Sequence, residues 1–279
     1  MKDQRITNIV IFEDTEEMCL TNMTLKNAIE HSLQEQRIYR EKETIEAVRE
    51  KKYKSTEVKV SCKRSFEAAK AYQNKKVCVH NFASATNPGG GVIRGASAQE
   101  ECLCRASTLF FNLNAKECWD KFYAPHRELH NPIYNEDCIY TPEVMVFKED
   151  TDVPLAMPEE DWYKVNVLTC AAPNLREQPS NCMNPHAGDK KVSLTNQELF
   201  DLHVKRGRRI LDVAAAHGNE VIILGAFGCG AFKNPPEVVA AVYRQLMKEY
   251  DGAFETVEFA VYCTERDKTN YEVFQSILG

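Results

Sequence analysis

The sequence predicts an α/β protein whose largely parallel sheet is covered by helices on both faces. Short apolar runs alternate with longer segments of helical spacing over the last two-thirds of the chain. The run Val221–Leu224 is apolar throughout, as expected of a strand buried in a parallel sheet. Because ligands of open α/β sheets bind outside the carboxyl ends of the strands, we expect the functional site at that edge.

Length and charge exclude several classes of protein. A chain of 279 residues can bury a substantial core, and its 43% hydrophobic and 27% charged residues are typical of a globular protein. The net charge of -6 argues against a general nucleic-acid binder, which would carry a basic face. No apolar run approaches the roughly 20 residues that span a bilayer, and residues 1–17 lack a signal-peptide pattern. The sequence therefore predicts a cytoplasmic protein without membrane contact.

The eleven cysteines are odd in number and scattered along the chain. Cys102 and Cys104 form the closest pair, and no CxxC pair indicates zinc. We expect buried free thiols, as in a reducing cytosol, and no metal.

Residues 1–75 are predicted to form a mainly helical extension packed on a core of residues 76–279, the two making one structural unit. A short apolar run at 9–12 is followed by a helix that starts at Thr24 as N-cap. The charged stretch 40–54 indicates an exposed connector. Val58 and Val60 indicate a strand, and residues 65–72 a helix.

The central stretch begins with a strand, Val77–Phe82, and breaks at Asn87-Pro-Gly-Gly-Gly91. Seven residues later Gln99, Glu100 and Glu101 open a helix. Three glycines let a ligand approach the backbone N–H groups, and such a turn followed by a helix can hold phosphate. Taken singly, the glycines would also suit an exposed turn, and the two acids would also suit the positive end of a helix.

The remaining elements follow in order. Residues 123–135 are predicted to be an irregular loop, because two prolines flank His126 and His130 and argue against a helical metal pair. Strands are predicted at 139–147 and 163–170. The polar stretch 175–191 is expected to be a surface loop that could cover a ligand.

The last third begins with the clearest helix, at 195–217 with Gly218 as its C-cap, and Arg206, Arg208 and Arg209 are read as its solvated face. After the strand Val221–Leu224 and its glycines, two prolines start a helix at 237–250. A strand at 257–262 and a helix at 270–278 end the chain.

Two motifs together are more specific than either alone. Asn-Pro-Gly-Gly-Gly, seven residues, then Gln-Glu-Glu resembles the signature of the poly(ADP-ribose) glycohydrolases, in the microbial form built on a macrodomain. The stretch 224–236, LGAFGCGAFKNPP, is similar to the second phosphate and ribose loop of that family. The resemblance implies a macrodomain-like three-layer αβα sandwich with a mixed, largely parallel central sheet, both glycine loops meeting in one cleft.

The resemblance also implies roles for individual residues. Glu101 would be the general acid, and Glu100 would hold ribose hydroxyls beside it. The substrate-binding residues would be Asn87, Gly89, Gly90, Gly91, Gln99, Gly228, Cys229, Gly230, Ala231 and Phe232. Among these, Asn87 and Phe232 would contact the distal ribose and the glycines would bind the diphosphate. Cys229 would be a small residue close to the ligand.

The function implied is hydrolysis of the ribose–ribose O-glycosidic bonds of poly(ADP-ribose), with release of ADP-ribose and no cofactor or metal. Removal of single ADP-ribose units and binding of ADP-ribose without cleavage are the alternatives; a pure reader would not need the acid pair. The expected partners are poly(ADP-ribose) and ADP-ribosylated proteins.

Overall fold

A seven-stranded mixed sheet runs through the centre of the molecule. The computed structural model describes residues 2–45, 51–181 and 185–279. The strands are β1 (Arg37–Tyr39), β2 (Glu57–Ser61), β3 (Val77–Phe82), β4 (Cys138–Val146), β5 (Tyr163–Cys170), β6 (Val221–Leu224) and β7 (Thr256–Ala260). Their order is β1-β4-β5-β3-β6-β7-β2. The five strands from β5 to β2 are parallel, whereas β4 and β1 are antiparallel to their neighbours. Both edge strands come from the first 75 residues.

Helices cover the two faces of this sheet. They are α1 (Lys2–Thr21), α2 (Met23–Glu35), α3 (Ser65–Lys70), α4 (Gln99–Ala106), α5 (Leu109–Leu113), α6 (Lys116–Cys118), α7 (Ala124–Leu129), α8 (Asn196–Ala216), α9 (Pro236–Glu249) and α10 (Thr269–Leu278). Short 3₁₀ turns lie at Val92–Arg94 and Glu159–Asp161, and a π turn lies at Trp119–Tyr123.

Alternation along the strands divides the core into two layers. In β6, Ile222 and Leu224 pack with α8, α9 and α10, whereas Val221 and Ile223 pack with α1, α3, α4 and α5. A strand buried on both faces needs apolar side chains at every position. The predicted αβα sandwich with a mixed, largely parallel sheet is therefore confirmed.

The first helix is longer than the apolar run at 9–12 indicates. Residues 9–12 belong to a helix of 20 residues rather than a short run. Its buried positions are Asn8, Phe12, Thr15 and Cys19, at helical spacing, but two of the four are polar and so gave no apolar stripe. The following helix starts at Met23 with Asn22, not Thr24, as its N-cap, since the Asn22 Oδ1 accepts the Leu25 N–H at 3.2 Å.

Two further predictions need correction. Residues 124–129 form the short helix α7, which continues the π turn Trp119–Tyr123 without a break, so Pro125 does not end the helical stretch. Arg206 is fully buried rather than solvated. The spacing Leu199, His203, Arg206, Ile210 places it on the buried stripe of α8.

The predicted connector 40–54 and loop 175–191 are only partly covered, since residues 46–50 and 182–184 lie outside the described residues. The described part of 175–191 contains no helix or strand. No helix within the described ranges has both the length and the apolar character needed to cross a membrane.

Most of the cysteines behave as predicted. Seven described cysteines are buried free thiols, and Cys229 is a half-buried one. Cys62 and Cys263 instead form a disulfide, which joins the segments that leave the carboxyl ends of β2 and β7. The prediction of free thiols is wrong for this pair.

Candidate active site

The glycine triplet forms a tight turn that follows β3 at the carboxyl edge of the sheet. The Gly90 N–H donates to the Asn87 carbonyl at 3.0 Å. Gly89 and Gly90 have φ values of 62° and 59°, a region that side chains with a Cβ rarely adopt. A Cβ on Gly90 would lie 2.5 Å from Glu101 Oε1 and 3.0 Å from Glu100 Oε2. The turn therefore needs glycine both for its conformation and for the two carboxylates packed against it.

Gln99 joins the start of α4 to the end of β3. Its Oε1 accepts the Phe82 N–H at 2.9 Å, and its Nε2 donates to the His80 carbonyl at 2.8 Å and to Ser65 Oγ at 3.0 Å. These three bonds use the side-chain amide within the protein. Gln99 thus fixes the start of the helix that carries the two acids, which explains its place in the motif.

Glu101 is buried, with 7% of its surface exposed. Its Oε1 accepts the Gly91 N–H at 2.8 Å, whereas its Oε2 has no hydrogen-bond partner among the described residues. Burial raises the pKa of Glu101, although the Gly91 N–H opposes this by stabilising the charged form. The side chain is therefore fixed through Oε1, whereas Oε2 is a buried oxygen without a hydrogen-bond partner among the described residues.

Glu100 is also buried, but its carboxylate is held differently. Its Oε2 accepts the Ser84 N–H at 2.7 Å, and its Oε1 accepts Asn81 Nδ2 at 3.4 Å. Burial and the neighbouring Glu101 raise the pKa of Glu100 well above its usual value. Two negative charges this close disfavour each other, so the pair holds at least one proton well above the pH at which an exposed glutamate ionises.

Asn87 lies between the glycine turn and Arg127, which the sequence did not single out. Arg127 Nη2 donates to Asn87 Oδ1 at 2.6 Å, and its Nε donates to the Thr86 carbonyl at 2.7 Å. Since a guanidinium only donates, the Asn87 oxygen must face Arg127, and the amide nitrogen donates to Thr86 Oγ1 at 3.5 Å. The Arg127 guanidinium also lies 4.6 Å from the Trp119 ring centroid.

The second glycine loop follows β6 and is held from below by two polar residues. Gly228 has a φ of 79°, and a Cβ there would lie 2.6 Å from Asn234 Nδ2. The buried Asn234 donates through Nδ2 to the carbonyls of Pro173 and Gly228, at 2.8 and 3.1 Å. Its Oδ1 lies 2.9 Å from His203 Nε2, so this nitrogen carries the proton. Asn234 and His203 are further positioning residues that the sequence patterns did not reveal.

The two loops are brought together at one edge of the sheet. Phe232 of the second loop packs with Ala85 of the first and with Ala171 after β5. Its ring centroid lies 6.3 Å from that of Tyr134. A Cβ on Gly230 would meet nothing within 4 Å, so this part of the loop faces open space. The contact of Phe232 with this cluster thus places the second loop beside the segment that leads into the first.

Arg206 supports the same region from within α8. It donates to the Ala171 carbonyl at 2.9 Å and also to the Ile133 carbonyl, next to Tyr134. A buried guanidinium with carbonyl partners ties the exit of β5 to the loop that carries Tyr134.

Cys229 and the two histidines show no catalytic arrangement. Burial raises the pKa of the Cys229 thiol far above neutrality, which disfavours the thiolate that a nucleophile needs. His126 is buried, with its ring nitrogens 2.7 Å from the Phe122 carbonyl and 2.8 Å from Asn135 Oδ1, whereas His130 is exposed. No group of three potential ligands for a metal ion occurs within the described part of the chain.

Known proteins share this fold. A family model described as "Microbial-type PARG, catalytic domain" matches residues 11–149. Poly(ADP-ribose) glycohydrolase (PARG) from Thermomonospora curvata is 27% identical with a TM-score of 0.81, the alignment covering 100% of both chains. The same protein bound to the inhibitor ADP-HPD is 28% identical with a TM-score of 0.79, over 99% of both chains. PARG from Deinococcus radiodurans in complex with ADP-ribose is 31% identical with a TM-score of 0.75, over 89% of this chain and 96% of that one.

Among curated proteins, none matches the chain significantly. The fold and the buried acid pair at its carboxyl edge define a glycoside hydrolase of the α/β class. With 31% identity over nearly the whole length of the Deinococcus radiodurans structure, the chain belongs to the microbial-type poly(ADP-ribose) glycohydrolase family.

Proposed function

We propose that this protein hydrolyses the ribose–ribose O-glycosidic bonds of poly(ADP-ribose) and releases ADP-ribose. The observation that carries the proposal is the unequal pair of buried acids. Glu101 is fixed through Oε1 and has an unpartnered Oε2, directly behind a glycine turn whose backbone can be approached by a ligand. Family membership and the ADP-ribose bound to the Deinococcus radiodurans relative give the substrate class.

In the proposed reaction, protonated Glu101 acts first as an acid. Oε2 donates its proton to the oxygen of the leaving ribose as the bond from that oxygen to the anomeric carbon breaks. The bonding electrons pass to the leaving oxygen, and the sugar develops oxocarbenium character. Water then attacks the anomeric carbon and gives a proton to Glu101, which restores the acid. Burial keeps Glu101 protonated at higher pH than usual, as the first step requires.

The diphosphate is proposed to lie between the two glycine loops. Gly89, Gly90 and Gly91 form one side, and the loop from Gly228 to Ala231 forms the other. Asn87 would donate its amide nitrogen to the distal ribose, since Arg127 occupies the amide oxygen. Phe232 would pack against the same ribose. Cys229 would serve as a small neighbour of the ligand.

Glu100 is proposed to hold ribose hydroxyls beside the scissile bond. Adjacent residues of a helix point about 100° apart, so Glu100 and Glu101 cannot flank the bond from opposite sides. A single acid, with help from the substrate phosphates, accounts for the chemistry. ADP-ribosylated proteins are the proposed carriers of the polymer.

We also propose that residues 1–75 and 76–279 act as one structural unit, supported by the two edge strands that the first segment contributes to the sheet. A macrodomain relationship and a cytoplasmic location stay predictions.

Release of ADP-ribose from poly(ADP-ribose) tests the function, with wild type and Glu101→Gln compared. Loss of a general acid typically lowers the rate by about 10²- to 10⁴-fold, so we expect release to fall by that factor while ADP-ribose binding, measured by calorimetry, persists. Glu265→Gln, which changes an exposed glutamate, serves as the control and should keep wild-type activity.

Other outcomes of this experiment would indicate a different function. Binding of ADP-ribose without release by the wild type would contradict the glycohydrolase and favour a reader. Release only from singly modified protein would favour a mono-ADP-ribosyl hydrolase.

A further inference from the structure

Helix α1 packs directly against the turn between the glycine triplet and α4. Asn8 is 2% exposed, and its Nδ2 donates to the Gly95 carbonyl at 3.0 Å. Its Oδ1 accepts Gln4 Nε2 at 3.1 Å. A Cβ on Gly95 would lie 2.3 Å from the Arg5 carbonyl, so the backbones of helix and turn are in close contact.

The contacted turn is closed by its own hydrogen bonds. The Gly95 N–H donates to the Val92 carbonyl at 3.0 Å, and the Ala96 N–H donates to the Gly91 carbonyl at 3.1 Å. These bonds link Gly95 to Val92 and its neighbour Ala96 to Gly91. The N–H of Gly91 is the group that holds Glu101 Oε1 at 2.8 Å.

Hydrogen bonds to neighbouring elements hold the rest of α1, so Asn8 contacts the turn from a fixed position. The buried Lys148 donates through Nζ to the Ile11 carbonyl at 3.1 Å and to Thr15 Oγ1 at 2.8 Å. Thr15 Oγ1 donates to the Arg105 carbonyl of α4 at 2.6 Å. These bonds tie the helix to the end of β4 and to the helix that carries Glu101.

We propose that Asn8 is a positioning residue for the glycohydrolase reaction: through Gly95 and Gly91 it sets the backbone N–H that orients Glu101. The proposal rests on the proposed role of Glu101 as general acid. It gives the first helix, of which residues 2–10 precede the family match, a part in catalysis.

This role has a kinetic signature that a loss of stability alone does not produce. The Gly91 N–H favours the charged form of Glu101, so loosening this bond raises the pKa of Glu101. Because the acid must be protonated, the rate falls as pH rises through this pKa, and the alkaline limb of the kcat profile moves to higher pH. Glu100, Cys102 and Cys104, which also interact with Glu101, lie on α4, and Arg105 of the same helix donates to the Ala96 carbonyl of the turn at 2.6 Å.

The test compares Asn8→Ala with Asn219→Ala in the full chain, with kcat, KM and their pH profiles measured on poly(ADP-ribose). Asn219 is also 2% exposed and donates to a backbone carbonyl, that of Ala214 at 2.8 Å. It precedes β6 and so lies at the amino ends of the parallel strands, opposite the site. For Asn8→Ala we expect kcat to fall roughly tenfold and the alkaline limb of the kcat profile to move to higher pH by about 0.5 pH unit. Asn219→Ala should lose stability and keep both the wild-type kcat and the wild-type limb.

Gly95→Ala displaces the same contact from the turn side and should reproduce the Asn8→Ala profile. If either variant folds, by thermal melting, and shows the wild-type kcat and limb, the positioning role is wrong. The positioning role would also be wrong if kcat fell while the alkaline limb of its pH profile stayed in place. The same fall of kcat in Asn219→Ala would contradict it as well. Absence of ADP-ribose release by the wild type would instead remove the proposed function, so the two failures are distinguishable.

Discussion

At the scale of the residue, Glu101 and Glu100 differ in how their oxygens are used. Glu100 accepts from the Ser84 N–H and from Asn81, whereas Glu101 accepts from Gly91 through one oxygen alone. The motif predicted two acids in the first turn of a helix, but it could not separate their roles. The separation comes from residues 10 to 20 positions away, which the fold brings to the carboxylates.

Gly90→Ala tests how closely the turn is fitted to these acids. Gly218→Ala is its matched control, because both glycines have a positive φ, 59° and 67°, and a Cβ on Gly218 would meet nothing within 4 Å. We expect both variants to lose on the order of 1 kcal/mol of stability from the backbone conformation. Only Gly90→Ala should lose most of the activity, since its Cβ collides with the carboxylate of Glu101. Equal activities in an ADP-ribose release assay would show that the close fit has no part in the reaction.

At the scale of the element, the predictable parts are those with local signals. β3, β5 and β6 lie where their apolar runs indicated, and α8 begins after Thr195, whose side chain and that of Glu198 cap each other's backbone N–H groups. Helix α1 was missed because Asn8 and Thr15 occupy half of its buried stripe. Arg206 lies on the buried stripe of α8, although its charge predicts a solvated position.

Helix α7 illustrates a functional element that local signals hid. Two nearby prolines predicted a loop, yet Pro125 lies within a helical stretch and Arg127 of the same helix contacts Asn87. The contact joins residues 40 positions apart, so no spacing along the chain indicates it. The orientation of the Asn87 amide is thus a property of the packed elements.

Arg127→Lys is expected to weaken ADP-ribose binding by about tenfold. A lysine cannot donate to the Thr86 carbonyl and to Asn87 Oδ1 with the planar geometry of a guanidinium, so Asn87 Oδ1 loses part of the contact that orients its amide. Arg208→Lys is the control: Arg208 also donates through two nitrogens, to Glu249, but on the α8–α9 surface. Calorimetry with ADP-ribose gives the Kd of each variant. A similar Kd for wild type and Arg127→Lys would contradict the positioning of Asn87 by Arg127.

At the scale of the whole molecule, the site depends on buried polar groups beneath the sheet edge. His203 supports Asn234 under the second loop, and His80 lies in β3 with its ring 4.5 Å from that of Phe227. Burial lowers the pKa of His203 to about 4 and that of His80 to about 3. Both stay neutral in the folded protein at neutral pH. The meeting of the loops could be inferred from the parallel sheet, but this support could not, because it joins α8 to the segment after β6.

His203→Gln should therefore flatten part of the dependence of stability on pH. In the unfolded chain a histidine takes up its proton near pH 6.5, whereas folded His203 stays neutral down to about pH 4. As pH falls through this window the unfolded state binds the extra proton, so the wild type loses up to about 1.4 kcal/mol of unfolding free energy per pH unit from this residue. Glutamine keeps a donor for Asn234 and does not titrate. Urea denaturation between pH 4.5 and 7.5 should show the gap between wild type and His203→Gln changing with pH, with His186→Gln, at an exposed site, parallel to the wild type. A pH-independent gap would mean that His203 is protonated in the folded state or stays neutral in both states.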